Sequence, residues 1–175
     1  MINLHKENIL KKGFIVINNN KYKYYLFDIY QLHNIIENDK IFTNLLENTI
    51  ITYREDKNFK IHHLFIEYMN KSIYDRTLFF IIYKEDIVST CRFLFNLDKK
   101  AAYYNLIYTN PKYRGKKICQ NNIKHMIDIT NRYIKKYELE VAIENIPAIK
   151  CYQKNGFEII KENSHSKEYL MQLII

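Results

Sequence analysis

The segment NPKYRGKKICQ at positions 110–120 carries the residues best suited to chemistry. A proline, a glycine four residues on, and Arg114, Lys116 and Lys117 around that glycine stand where an apolar strand pattern gives way to a helical one. The first-turn amides of a helix have no partner within it, and the helix dipole favours negative charge there. Gly115 allows backbone conformations closed to other residues and lets a ligand come near. The three cations strengthen the same field, so the segment predicts an anion site suited to a pyrophosphate.

The elements that must position this site follow from the periodicities. Residues 14–17 and 22–27 read as strands, and 77–83, 87–97 and 101–109 read as a three-strand antiparallel meander with polar turns between them. Apolar residues with helical spacing predict helices over 29–38, from about 41, and over 59–69. A further helix is predicted over 116–133, with Ile118, Ile123, Met126 and Ile127 on its inner face, then a strand over 138–144. A short helix opens at Pro147 and closes at Gly156, and strands over 157–161 and 168–175 complete the chain. With 175 residues, no low-complexity linker and no internal repeat, this is one mixed α/β domain over 1–175.

Composition narrows the classes. The balance of +8, from 27 basic and 19 acidic residues, favours an anionic partner, although Ile, Asn, Lys and Tyr share AT-rich codons and part of the Lys excess follows from that. Basic and aromatic residues interleave over 99–104 and 132–137, so a nucleic-acid partner is a competing reading, ranked well below an enzyme because the basic residues are spread along the chain. Cys91, Cys119 and Cys151 are odd in number and widely spaced, which indicates neither a disulfide framework nor a zinc site; Cys119 and Cys151 read as small helix-packing residues. No metal is expected, the adjacent His62 and His63 pointing in different directions from a helix. The start of the chain lacks a signal-peptide pattern, and no stretch reaches the roughly 18–20 apolar residues of a membrane span. A cytoplasmic protein without a membrane partner is therefore expected, and a homodimer is left open.

Two segments resemble the signature of the GNAT N-acetyltransferase superfamily. LIYTNPKYRGKKIC is similar to its acetyl-CoA motif, a strand leading through a proline turn into an Arg/Gln-x-x-Gly-x-Gly/Ala loop and a helix. VAIENIPAIKCYQKNGFEII is similar to the companion motif, with Asn145, Ala148, Tyr152, Gly156 and Phe157 at its marked positions. Both prolines of the chain, Pro111 and Pro147, and two of its three glycines fall at these positions. The resemblance implies a mostly antiparallel sheet of six to seven strands flanked by about four helices. It also implies transfer of an acetyl group from acetyl-CoA to a primary amine by direct attack, with no covalent enzyme intermediate and no metal.

The resemblance carries roles to particular positions. Leu106, Ile107, Tyr108 and Thr109 would hold the pantetheine arm and the developing oxyanion through main-chain groups. Arg114, Gly115, Lys116, Lys117, Ile118 and Cys119 would form the pyrophosphate loop, and Asn145 would present an amide to the cofactor or cap the helix after it. Tyr152 would be the general acid, since a phenol stays protonated at neutral pH and can donate. No acidic residue or His lies between positions 99 and 115, so the base is left among Tyr104 or Asn105, ordering a water, and Glu144. Lys117 and Cys119 stand where the pattern has Gly and then Gly or Ala, which bears on cofactor affinity. The acceptor is expected over 24–54, near Asp28, Glu37 and Asp39, and to be a small-molecule amine such as an amino sugar or polyamine. A protein N-terminus or lysine, or a non-catalytic CoA-binding relative, are the alternatives.

Overall fold

The computed structural model describes residues 11–28, 47 and 76–175. The helices expected over 29–38, from 41 and over 59–69, and the acceptor region beyond Asp28 apart from Glu47, lie outside these residues, as does the His62-His63 pair.

Eight strands form one sheet in the order β1-β2-β3-β4-β5-β6-β8-β7. Strands β1 (Lys11–Ile17) and β2 (Asn20–Asp28) make a hairpin whose turn residues Asn18 and Asn19 both have positive φ, 49° and 63°. That is the turn chemistry a two-residue hairpin demands, and Asn tolerates it better than most side chains. The meander follows as β3 (Arg76–Tyr83), β4 (Ile87–Asn96) and β5 (Ala101–Thr109), all antiparallel. Every residue from Ile87 to Phe95 is buried, the polar Ser89, Thr90 and Arg92 among them.

Helix α1 (Ile118–Thr130) returns across β4 and β5, burying Ile118, Asn122, Ile123 and Met126. Strand β6 (Lys136–Ala142) pairs in parallel with β5, helix α2 (Ile146–Gln153) follows, and β7 (Glu158–Asn163) and β8 (Glu168–Ile174) close the sheet. Among the described residues the sheet thus has eight strands where the resemblance implies six to seven, and each of the eight falls on a segment that the periodicity reads as a strand. Two helices, against about four expected, are present among the described residues. The core sits beneath α1 and α2, where Phe80, Phe93, Tyr104, Tyr137, Phe157 and Met171 meet.

Two departures from regular pairing create a cleft. Parallel pairing of β5 with β6 runs from Ala101↔Lys136 to Tyr104↔Leu139 and stops there. Immediately beyond, β5 bulges: between the pairs Arg92↔Asn105 and Thr90↔Tyr108, β4 has Cys91 alone where β5 has Leu106 and Ile107. Leu106 takes φ 47°. An extra residue bends its strand and turns its backbone groups away from the ladder, and the starts of α1 and α2 border the opening between β5 and β6.

Candidate functional site

The divergence opens a cleft of about 690 Å³ between β5, the loop after it, β6 and the two helices. On the β5 side, the bulge is held by hydroxyls of β4. Thr90 Oγ1 donates to the Leu106 carbonyl at 3.2 Å, and Ser89 Oγ donates to the Tyr108 carbonyl at 2.6 Å. Ser89 Oγ also accepts from Asn122 Nδ2 at 2.8 Å, so a buried chain of polar groups ties α1 through β4 to β5.

The loop after β5 starts with Asn110, whose Oδ1 accepts from the Lys112 amide while its Nδ2 donates to the Ile87 carbonyl. A 3-10 turn over Pro111–Tyr113 follows, Pro111 fitting its first position because no amide is needed there. Arg114 Nε donates back to the Thr109 carbonyl at 3.1 Å. Gly115 has φ 74°, and a Cβ built on it meets nothing within 4 Å. Lys117 precedes α1 with φ 60° and ψ 17°, left-handed backbone in a residue with a Cβ. Asn18 of the distant β1–β2 turn fastens this loop from outside, its Nδ2 donating to the Lys116 carbonyl.

No side chain caps the start of α1, and its first turn has no acidic residue. Arg114, Lys117, Lys150 and Lys154 line the cleft, with Glu140 and Glu168 as its carboxylates. Burial raises the Tyr108 phenol above its usual range, with the Arg114 charge opposing. On the other wall Asn145 caps α2, its Oδ1 accepting from the Ala148 amide at 3.3 Å, and lines the cleft as well. Tyr152, 5% exposed, projects from α2 to the cleft wall beside Phe157.

Of the expected residues, Ile107, Tyr108, Thr109, Arg114, Gly115, Lys117, Ile118, Cys119, Asn145 and Tyr152 line this one cleft. Leu106 is not in its lining and sits at the bulge, and Lys116 folds away, its Nζ donating to the Lys112 carbonyl and lying 5.2 Å from the centre of the Tyr113 ring. The three candidates for the base lie off the cleft lining. Tyr104 is a core residue, 1% exposed among Phe93, Tyr137 and Phe157, and burial pushes its phenol well up. Asn105 accepts from Arg92 Nε at 2.6 Å. Glu144 is exposed in the turn before α2, because β6 ends at Ala142, earlier than the pattern suggests.

The cysteines require a correction. Cys119 and Cys151 are joined by a disulfide, with Cα atoms 6.6 Å apart and a sequence separation of 32, and both line the cleft. Wide spacing argued against pairing, but α1 and α2 flank the same opening and bring the two together. Residues that sequence reasoning missed are those acting across long separations, Asn18, Ser89, Thr90 and Asn122, together with the lining carboxylates Glu140 and Glu168. For Glu140 the signal is the strand alternation, which sets it exposed between the buried Leu139 and Val141.

Comparison with known proteins places the fold. The model of the acetyltransferase (GNAT) family matches residues 38–157. No match by sequence is found among curated proteins. Solved structures share the fold at low identity. The GNAT domain of S. lividans PAT superposes with a TM-score of 0.68 at 10% identity, covering 94% of this chain and 97% of that one. Spermidine N-acetyltransferase from Vibrio cholerae, solved with CoA and spermine, gives 0.60 at 17% identity over 86% and 95% of the two chains. The Campylobacter jejuni N-acetyltransferase PseH gives 0.57 at 20% over 86% and 97%. The family match spans well over half of the sequence, on the strands and helices that form the cleft, and the chain belongs to the acetyltransferase (GNAT) family.

Proposed function

We propose that this chain is a single-domain, acetyl-CoA-dependent N-acetyltransferase that acts on a primary amine of a small molecule, an amino sugar or polyamine. The observation that carries the reading is the cleft itself, which has an uncapped, cation-lined helix start at one end and a buried tyrosine on its wall.

The residues present fit acetyl-CoA. The space at Gly115 is open, the first turn of α1 offers amides with no competing carboxylate, and Arg114, Lys117, Lys150 and Lys154 supply charge for phosphates. Bound there, acetyl-CoA supplies an acyl group activated as a thioester. The backbone of the bulged β5, held from behind by Ser89 and Thr90, presents main-chain groups to the pantetheine arm and to the oxyanion that develops on the carbonyl. Tyr152 donates a proton to the departing thiolate. Asn145 fixes the start of α2 and thereby the placement of Tyr152 on the wall. Lys117 does not close the loop, since it takes the left-handed backbone that a glycine would and remains exposed. Glu140 and Glu168 give the cleft a negative flank that attracts a cationic amine, and the spermine complex of the Vibrio cholerae relative is consistent with an acceptor of that class.

The test is acetyl transfer from acetyl-CoA to a panel of polyamines, amino sugars and peptides, read by mass spectrometry of the product. Acetylated small amines are expected. Tyr152→Phe should lower kcat by about 10²–10⁴-fold, the range for a general acid, while the Kd of desulfo-CoA stays within about threefold. Acetylated peptides alone would replace the acceptor class, and wild-type kcat in Tyr152→Phe would remove the tyrosine from the chemistry.

A further inference from the structure

The mechanism above makes no use of the sulfurs, yet the Cys119–Cys151 disulfide lies in the wall of the cleft. We propose that Cys119 and Cys151 form a thiol-modification site that exchanges with low-molecular-weight disulfides and thiols, and that its disulfide form is the one that holds a phosphorylated ligand at the start of α1. The second half of this inference rests on the acetyl-CoA reading.

Three features support it. Both residues are only half-buried and border a cleft open to solvent, so a small disulfide or thiol can reach them. Cys119 is the second residue of α1, and Arg114, Lys117, Lys150 and Lys154 line the same cleft. A helix start and nearby cations favour the thiolate, the form that attacks disulfides. Cys91 is the internal contrast, a thiol 1% exposed and off the cleft lining, which burial pushes well above its usual range.

The exchange balances without a further reagent. Cys119 thiolate attacks one sulfur of a disulfide RSSR, forming a mixed disulfide and expelling RS⁻, which takes up a proton. Cys151 thiolate then attacks the Cys119 sulfur, closing the protein disulfide and expelling the second thiol. Two electrons pass from the dithiol to RSSR, and the reverse sequence with two thiols restores it.

The coupling to the ligand follows from charge and from constraint. In the dithiol form, a thiolate at Cys119 places negative charge among the amides and cations that would hold a phosphate. The disulfide is neutral and frees them. It also pins α1 to α2 across the cleft, so less ordering remains to be done on binding. Linkage requires the converse, that the bound ligand stabilises the disulfide by the same factor.

The experiment compares full-length protein equilibrated with glutathione disulfide and with glutathione, each freed of the reagent. Alkylation under native conditions and mass mapping report the thiols, and desulfo-CoA, which has no thiol of its own, is the titrant. Expected are alkylation of Cys119 and Cys151 in the reduced protein only, labelling of Cys91 only after unfolding, and about tenfold tighter desulfo-CoA binding by the oxidised form. Saturating desulfo-CoA should then lower the midpoint potential of the pair by about 30 mV. Cys151→Ser treated with glutathione should bind like the reduced wild type, and treated with glutathione disulfide it should keep the glutathione as a mixed disulfide on Cys119, seen as an added mass. Equal affinities, or tighter binding by the reduced form, overturn the coupling. Failure of glutathione disulfide to protect Cys119 and Cys151 overturns the site itself. Absence of desulfo-CoA binding in both forms rejects the acetyl-CoA reading instead, and the alkylation pattern still decides for or against the exchange site.

Discussion

Lys117 offers a direct measure of how the loop before α1 is built. Its backbone is left-handed, with φ 60° and ψ 17°, and is held there because the Lys117 carbonyl accepts from both the Asn121 amide at 3.0 Å and Asn121 Nδ2 at 2.9 Å. The left-handed conformation costs an L-residue roughly 1–2 kcal/mol. Glycine escapes that cost but surrenders about 0.5–1 kcal/mol more chain entropy on folding. Lys117→Gly should therefore be more stable than Lys117→Ala by about 1 kcal/mol, although alanine is ordinarily the better residue at a helix boundary. For a chain of this size that is roughly 2–4 °C in Tm. Both variants remove the same charge, so both should bind desulfo-CoA about two- to fivefold more weakly than wild type, the scale of one exposed ion pair. Thermal melts followed by circular dichroism give the first comparison and titration the second. An alanine variant as stable as the glycine variant would refute the left-handed backbone, and with it the reading of Lys117 as a stand-in for glycine.

Two further outcomes follow from buried polar groups. Ser89→Ala removes the donor to the Tyr108 carbonyl and the acceptor for Asn122 Nδ2, in a residue with no exposed surface. Leaving the buried Asn122 amide unmatched should cost about 2–3 kcal/mol, seen as a lower urea midpoint at unchanged m, with desulfo-CoA affinity falling as the bulge loosens; a variant as stable as wild type would show that the chain from α1 to β5 is incidental. His125 packs against Tyr24 and Phe80, its Nε2 has no hydrogen-bond partner among the described residues, and burial lowers its pKa, with Asp128 opposing and Lys124 reinforcing. Between the folded value and the unfolded value near 6.5 the unfolded chain binds more protons, so stability falls as pH drops below about 6.5 and the loss ends below the folded pKa. The Tm of wild type should drop more between pH 7.5 and pH 5.5 than that of His125→Leu, and equal drops would contradict a buried neutral imidazole.

Much of this architecture is legible because glycine and proline are so scarce. With Pro111, Pro147, Gly115 and Gly156 each standing at a turn or helix boundary, the positions of the loop and of α2 follow from composition and spacing alone. The bulge is not legible in the same way. Leu106 adopts positive φ with no glycine to announce it, and hydroxyls of a neighbouring strand hold it there. Tyr104 shows the opposite failure. Ala102 and Tyr104 share the buried face of β5, so simple alternation puts Tyr104 in the core, against the role that its position beside the motif suggests. The disulfide and the Asn18 contact join residues 32 and 98 positions apart, and no local pattern encodes such pairings.

The central claim is that the loop 110–120 and the start of α1 form a phosphate cradle for acetyl-CoA. Isothermal titration of the oxidised protein with desulfo-CoA, beside Gly115→Asp and Gly115→Asn, tests it most directly. The two substitutions introduce side chains of nearly equal size at the same left-handed position, φ 74°, into space where a Cβ meets nothing within 4 Å, and they differ in charge. Micromolar binding by wild type is predicted, with Gly115→Asp at least tenfold weaker than Gly115→Asn. Equal affinity of the two variants, or no binding by the wild-type protein, would contradict the account.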